Sequence, residues 1–203
     1  PVKVLFLDTL FNRIMEESCN WPGNDPLMRK YHDEEWGAPL HDDRKLFEFL
    51  VLEGFQAGLS WMTILRKREH FREAFFGFDP VLVAAMTQLD VERLLQNPGI
   101  IRNRMKIEAT IHNAACFLKI QREYGSFDRY IWQFTDYSPV INRFTALDQL
   151  PARTELSDRI SAELKRKGFK FVGSTIVYAH MQATGMVNDH LTHCFRYHEI
   201  NKL

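Results

Sequence analysis

Cysteine, long apolar runs and net charge are all scarce in this sequence. Three cysteines, Cys19, Cys116 and Cys194, stand in 203 residues. An odd count at wide spacing makes no disulfide framework and fits a reducing compartment. No run of about 18 apolar residues occurs, so no transmembrane helix is expected. The apolar start PVKVLFL meets Asp8, and no small-residue cleavage site follows, which argues against a secretory signal. Basic and acidic residues balance at 26 each. That removes a strong long-range field for nucleic acid and leaves room for a local basic patch. Repeats, low-complexity tracts, Gly/Ser linkers and alternating strand patterns are missing as well. So are G-x-S-x-G, H-E-x-x-H and a glycine-rich phosphate loop, which sets aside the serine-hydrolase, zinc-protease and nucleotide-binding patterns.

What the chain does have is helical punctuation. Asp42 or Asp43 can cap a helix reaching about Gly58, and Ser60 the next, to about Phe76. Asp79-Pro80 is a cap followed by proline at the first helical position. Asp90 can open a short helix through Gln96, and the break "NPGI" precedes a long helix from about Arg102 to Tyr124. A short helix follows at about 127–134, and residues 135–156 read as mostly loop. Ser157 and Ser174 can cap two more helices, to Lys167 and Thr184. The class is all-α. We expect a single domain over residues 19–203 behind an extension at 1–18, in which Leu10, Phe11, Ile14 and Met15 are spaced for one helical stripe.

Several groups of residues carry chemical potential. Glu53 falls four residues after Phe49, three after Leu50 and four before Ala57, which puts a carboxylate on an apolar helix face. Trp21, Tyr31 and Trp36 lie in a polar, turn-rich segment, and Trp61 follows the Glu53 helix. Large aromatics near a buried carboxylate suit a flat, hydrogen-bonding ligand such as a nucleobase, although each alone also reads as core. "VERLLQNPGIIRNRMKI" (91–107) is helix, glycine hairpin, helix. Its backbone N–H groups, with Arg102, Arg104 and Lys106, suit a nucleic-acid backbone; it also reads as an ordinary helical corner. Cys19, His32, His190 and Cys194 supply a complete tetrahedral ligand set, with His112 and Cys116 a rival pair at the same four-residue spacing as His190 and Cys194. Asp33 and Asp189, each beside a histidine, are candidates to orient an imidazole.

Taken in order, "YHDEEWG", "LFEFLVLEGFQAGLSW", "FDPVLVAAM", "GIIRNRMKI", "KRKGFKFVGSTIVYAHMQATGMVNDH" and the final His-x3-Cys closely resemble the bacterial DNA-3-methyladenine glycosylase I family. The likeness runs from about Cys19 to Cys194. It implies an all-α helix-hairpin-helix DNA glycosylase fold, with the hairpin at about 90–107 and a zinc site tying the N- and C-terminal segments. It implies excision of N3-methyladenine from alkylated double-stranded DNA by a cytoplasmic, monomeric bacterial enzyme. Glu53 then corresponds to the carboxylate that meets the extruded base, Tyr31 and Trp61 to pocket aromatics, and Trp36 and Trp21 to their surround. Leu59, beside Gly58, matches the position that fills the gap left in the duplex. Residues 97–106, with Gly99, Arg102, Arg104 and Lys106, match the DNA-gripping hairpin. Cys19, His32, His190 and Cys194 match the ligands of one structural Zn2+, and His112 and Cys116 match none.

One departure stands out: Met28 occupies a pocket position where the family often has a second tyrosine. Its sulfur can pack a base face but supplies no hydroxyl. Two other readings make different predictions. A damage-binding protein without catalysis would bind alkylated DNA and release no base. A zinc hydrolase using His32 or His190 would need an open coordination position.

Overall fold

An apolar helix runs through the middle of the molecule. It is the second of a series in a computed structural model that describes residues 18–202. In chain order the helices are α1 (Pro26–Glu34), α2 (Asp43–Gln56), α3 (Trp61–Ala74), α4 (Pro80–Ala84), α5 (Gln88–Leu95), α6 (Arg104–Tyr124), α7 (Phe127–Trp132), α8 (Glu155–Arg166), α9 (Ser174–Ala183) and α10 (Phe195–Ile200). Two short strands, β1 (Val140–Ile141) and β2 (Val187–Asn188), pair in parallel. The all-α expectation holds. The stripe at Leu10 to Met15 lies outside the described residues.

Every residue of α2 from Leu46 to Phe55 is buried, so this helix is apolar all round rather than on one face. Helices α3, α6 and α9 pack against it. Rings fill the spaces between: Phe47 meets Phe117 at 5.1 Å between centroids, and Phe55 meets Phe71 at 4.7 Å. Asp42 opens α2 by accepting from the Lys45 backbone N–H.

Two glutamates interrupt this buried run, and they are treated differently. Glu48 accepts from Arg68 Nε at 2.6 Å and Arg72 Nε at 3.0 Å; Arg68 is itself buried and also grips Glu35. Among the described residues Glu53 has no such partner. Replacing Arg68 by methionine is expected to destabilise the fold by roughly 3 kcal/mol, since it leaves the buried Glu48 carboxylate with only the more exposed Arg72. Urea unfolding checks this, and a loss below about 1 kcal/mol would show that Arg72 alone suffices for Glu48.

Several boundaries differ from the sequence reading for local reasons. Residues 26–34, read as turns, are helical, because Asp25-Pro26 is the same cap-and-proline pair as Asp79-Pro80. Helix α5 starts at Gln88: Thr87 caps it, and Asp90 is the reciprocal acceptor three residues on. Asn103 caps α6, moving its start to Arg104. Thr154 caps α8, with Ser157 inside the helix as the reciprocal partner. Helix α3 stops at Ala74, and α9 begins at Ser174 itself, behind Gly173.

Candidate functional site

Helix α1 faces two ways. Asp25 accepts from the Leu27 and Met28 N–H groups and fixes the start. Met28, Tyr31 and His32 then fall at i, i+3 and i+4 on the buried side. Met28 and Tyr31 border a cavity of ≈ 330 Å³, while His32 turns to a separate cluster behind it. Into the cavity α2 delivers Glu53 and Gln56, α3 its first residue Trp61, and α9 Ala179 and Gln182. Trp21 and Trp36 close one wall, and Leu147 and Leu150 reach in from the segment before α8. The Tyr31 and Trp61 rings stand 5.2 Å apart at 44°, and Trp21 and Trp36 5.1 Å apart at 66°. All six residues expected at a base pocket therefore come together.

Three of the polar side chains of this cavity lack partners among the described residues, while Gln182 is held by Asp189. Trp21 Nε1 and Trp61 Nε1 are buried donors without an acceptor. Glu53 is only 5% exposed and makes no hydrogen bond or ion pair among the described residues. Burial alone pushes its carboxyl up to about 8. Tyr31 is raised well above the tyrosine range, first by burial and then by the nearby Glu53 charge. Unsatisfied donors and an unsatisfied acid are costly to bury. Set among flat rings, they fit a planar ligand that bears both donors and acceptors.

A second cavity of ≈ 220 Å³ adjoins the first and shares Glu53, Gln56 and Ala179 with it. Gly58 and Leu59 border it from the α2–α3 loop. Gly58 holds φ at +81°, a conformation side chains resist, and Leu59 at the tip is 41% exposed.

A short turn-containing segment, residues 96–103, joins α5 to α6. Asn97 Oδ1 accepts from Gly99 N–H at 2.8 Å. Gly99 lies so near His70 that an added Cβ would come within 2.9 Å of it. Lys67 Nζ donates to the Pro98 carbonyl at 2.8 Å and bolts the hairpin to α3. The basic residues separate, however. Arg102 is exposed and pairs with no acid among the described residues. Arg104 is held by Glu92 at 2.8 Å and Glu108 at 3.6 Å. Lys106 turns inward, where burial lowers its amine, and donates to the Phe55 and Ala57 carbonyls. Sequence adjacency gave no hint of Glu92, twelve residues from Arg104, or of those carbonyls.

Behind the aromatic wall, Cys19, His32, His190 and Cys194 gather their donor atoms within 4.8 Å of one another, all buried. This set could hold a metal ion. His190 Nδ1 lies 3.7 Å from Cys19 Sγ, 3.6 Å from Cys194 Sγ and 3.1 Å from His32 Nε2, and Cys194 Sγ lies 3.6 Å from His32 Nε2. Each outer ring nitrogen has an acceptor: Asp33 Oδ1 at 2.7 Å from His32 Nδ1, and the Trp36 carbonyl at 2.9 Å from His190 Nε2. That leaves the inner nitrogens bare, as ligands require. Asp33 takes the orienting role open to it, against the more common one of a cap or surface charge. Asp189 does not; it accepts instead from Asn142, Tyr178 and Gln182. A Cβ on Gly37 would meet His190 Nε2 at 2.8 Å, which makes this glycine a condition of the cluster. The rival His112 bonds the Gly168 carbonyl at 2.8 Å, away from this set. Sequence reasoning missed Gln56, Gln182, Leu147 and Leu150 at the cavity and Lys67 at the hairpin. None carries a local pattern, because α9 and the segment before α8 meet the site only in three dimensions.

Comparison with known proteins places these features in context. Residues 21–197 match the model of the Methyladenine glycosylase family. The chain is 51% identical over 181 residues to DNA-3-methyladenine glycosylase 1 of Escherichia coli (strain K12), covering 89% of this chain and 97% of that protein. A crystal structure of 3-methyladenine DNA glycosylase I superposes with a TM-score of 0.86 at 53% identity, over 88% of this chain and 98% of the other. The Staphylococcus aureus glycosylase I, whose structure describes 3-methyladenine recognition, gives 0.86 at 38% identity, over 89% and 96%.

Proposed function

The chain belongs to the methyladenine glycosylase family, and on that premise we propose how its own residues excise N3-methyladenine from alkylated double-stranded DNA. It is a monofunctional DNA glycosylase that hydrolyses the N-glycosidic bond. The observation that carries the reading is Glu53, a buried acid without a partner in a cavity of aromatic rings.

N3-methyladenine bears a positive charge while bonded to the sugar. When the N–C1′ bond breaks, its electron pair goes to the base, which leaves neutral; a water oxygen bonds to C1′ and its proton passes to solvent. The leaving group therefore needs little protonation, and the pocket's task is selection. Tyr31 and Trp61 hold the base plane, with Trp36, Trp21 and Met28 around it. Glu53 accepts from the amino group of the flipped base. The cationic base draws the carboxyl into its ionised form, against the pull of burial, whereas uncharged adenine offers no such compensation. Selection thus rests on a charge the empty site suppresses.

On the DNA side, the hairpin's backbone N–H groups and the free Arg102 grip phosphates without reading sequence, in the manner of helix-hairpin-helix glycosylases. Leu59 fills the place of the extruded base. Arg104, half neutralised by Glu92 and Glu108, contributes less than Arg102. One chain suffices per lesion, in the bacterial cytoplasm where such DNA lies.

The ion of the Cys2His2 cluster is zinc in this reading. Bonds of about 2.3 Å to sulfur and 2.0–2.1 Å to nitrogen give tetrahedral edges of about 3.3–3.8 Å. The 3.6–3.7 Å sulfur–nitrogen separations fall within them, the 3.1 Å nitrogen pair lies just below, and the set as a whole lies within 4.8 Å. Cys19, His32, His190 and Cys194 would hold such an ion with no position left for water, so it would tie residue 19 to residues 190–194 and supply no chemistry to the reaction.

Incubation with DNA methylated by a methyl donor, followed by chromatography of the released bases, tests the function. A 3-methyladenine peak is expected. Tight binding to the same DNA with no free base would favour the damage-binding alternative.

A further inference from the structure

The hairpin lysine that reads as a phosphate contact faces the protein interior instead. Lys106 sits in the first turn of α6 and is 8% exposed. Its Nζ donates to Phe55 O at 2.8 Å and Ala57 O at 2.7 Å, about fifty residues earlier in the chain. These carbonyls belong to the end of α2, where the last turn has no intrahelical donors and the helix dipole is negative. Charged donors make the stronger hydrogen bonds. Beyond Ala57 the chain passes through Gly58 to the exposed Leu59 and then to Ser60, which caps α3. Among the described residues the loop's own backbone N–H bond is Leu59 to Gln56 O, and Ser60 O already belongs to the start of α3. The Lys106 amine is therefore the tie between the loop and the hairpin. It grips the same last turn of α2 that carries Glu53.

We propose that Lys106 is a positioning residue that clamps the α2–α3 loop to the hairpin, so that DNA gripped by one is presented to Leu59 and Glu53 in fixed register. The proposal rests on the glycosylase reading for its consequence and on the two hydrogen bonds for its geometry. Lys106 does not touch the base. Its effect is on delivering the base from the duplex, not on holding a base already in the pocket.

Lys106→Met keeps the packed stem and removes the ammonium; Lys106→Arg keeps the charge. Three readouts apply to both variants, with folding checked by thermal melting: single-turnover excision from methylated duplex, affinity for free 3-methyladenine, and amide hydrogen exchange across residues 57–60. For Lys106→Met, duplex excision is expected to fall about 100-fold, the scale of a small misplacement, while free-base affinity stays within about twofold and exchange at 57–60 accelerates. Lys106→Arg should recover much of the excision. Wild-type excision by Lys106→Met, free-base affinity falling in step with excision, or unchanged exchange would each overturn the clamp. A wild type that releases no base would sink the glycosylase reading, while the exchange data still decide whether the loop is clamped.

Discussion

Replacing Glu53 by glutamine is expected to slow 3-methyladenine release roughly 100- to 1,000-fold, the scale of losing one preorganised electrostatic group, with the fold intact. Glutamine fills the same volume and keeps an acceptor oxygen, so the loss isolates charge. Burial holds the Glu53 carboxyl at about 8 in the empty site, against an ordinary value near 4.5. The wild-type kcat/KM should therefore rise with pH toward about 8 as the free enzyme ionises, and Glu53→Gln should lose that limb. Stability runs the opposite way. The folded protein binds this proton more tightly than the unfolded chain, so the stabilising contribution is complete below about 4.5 and is lost as pH rises through about 8. Glu53→Gln should accordingly gain stability over wild type at pH 8 more than at pH 5. Base release near the wild-type rate by Glu53→Gln would mean that charge at this position does not drive selection.

Removing the zinc proposed for the Cys2His2 cluster is expected to have the second large effect. Stripping it with a strong chelator, or replacing Cys194 by serine, is expected to lower the melting temperature by about 10 °C or more, since binding energy at a closed site is folding energy. The cluster also backs the cavity: Trp36 lies 4.6 Å from the His190 ring and Trp21 5.5 Å from the His32 ring. Activity should fall with unfolding at the assay temperature and persist in the cold. Elemental analysis should find one zinc per chain in the wild type and none in Cys194→Ser. Immediate loss of excision with an unchanged melting curve would instead indicate a catalytic metal, and absence of zinc from the pure protein would remove it from the account.

The same two features show how far the sequence carries. Glu53 stood out because a carboxylate broke an apolar pattern, and its burial follows from that pattern. Glu48 breaks the pattern too, yet its neutralisation by Arg68, twenty residues on, depends on how α3 lies against α2 and cannot be read locally. The four cluster ligands were legible as a set of the right types, but their spacing did not separate them from His112 and Cys116 without the resemblance or the fold. Lys106 shows the reverse. Its neighbours made it look like a surface cation, and only the position of the α2 terminus explains why it points inward. The helix at 26–34 lies outside the sequence reading, although its Asp25-Pro26 start is the same local signal as Asp79-Pro80.

The central claim is that burial keeps Glu53 neutral until a base arrives. Titration of the Glu53 side-chain carboxyl by carbon-13 NMR, with and without a bound cationic base such as 3,9-dimethyladeninium, tests it most directly. The account predicts a midpoint near 8 in the empty protein and a clear downward shift when the base occupies the cavity. An ordinary carboxylate midpoint in the empty protein, or one that the base leaves unmoved, would contradict it.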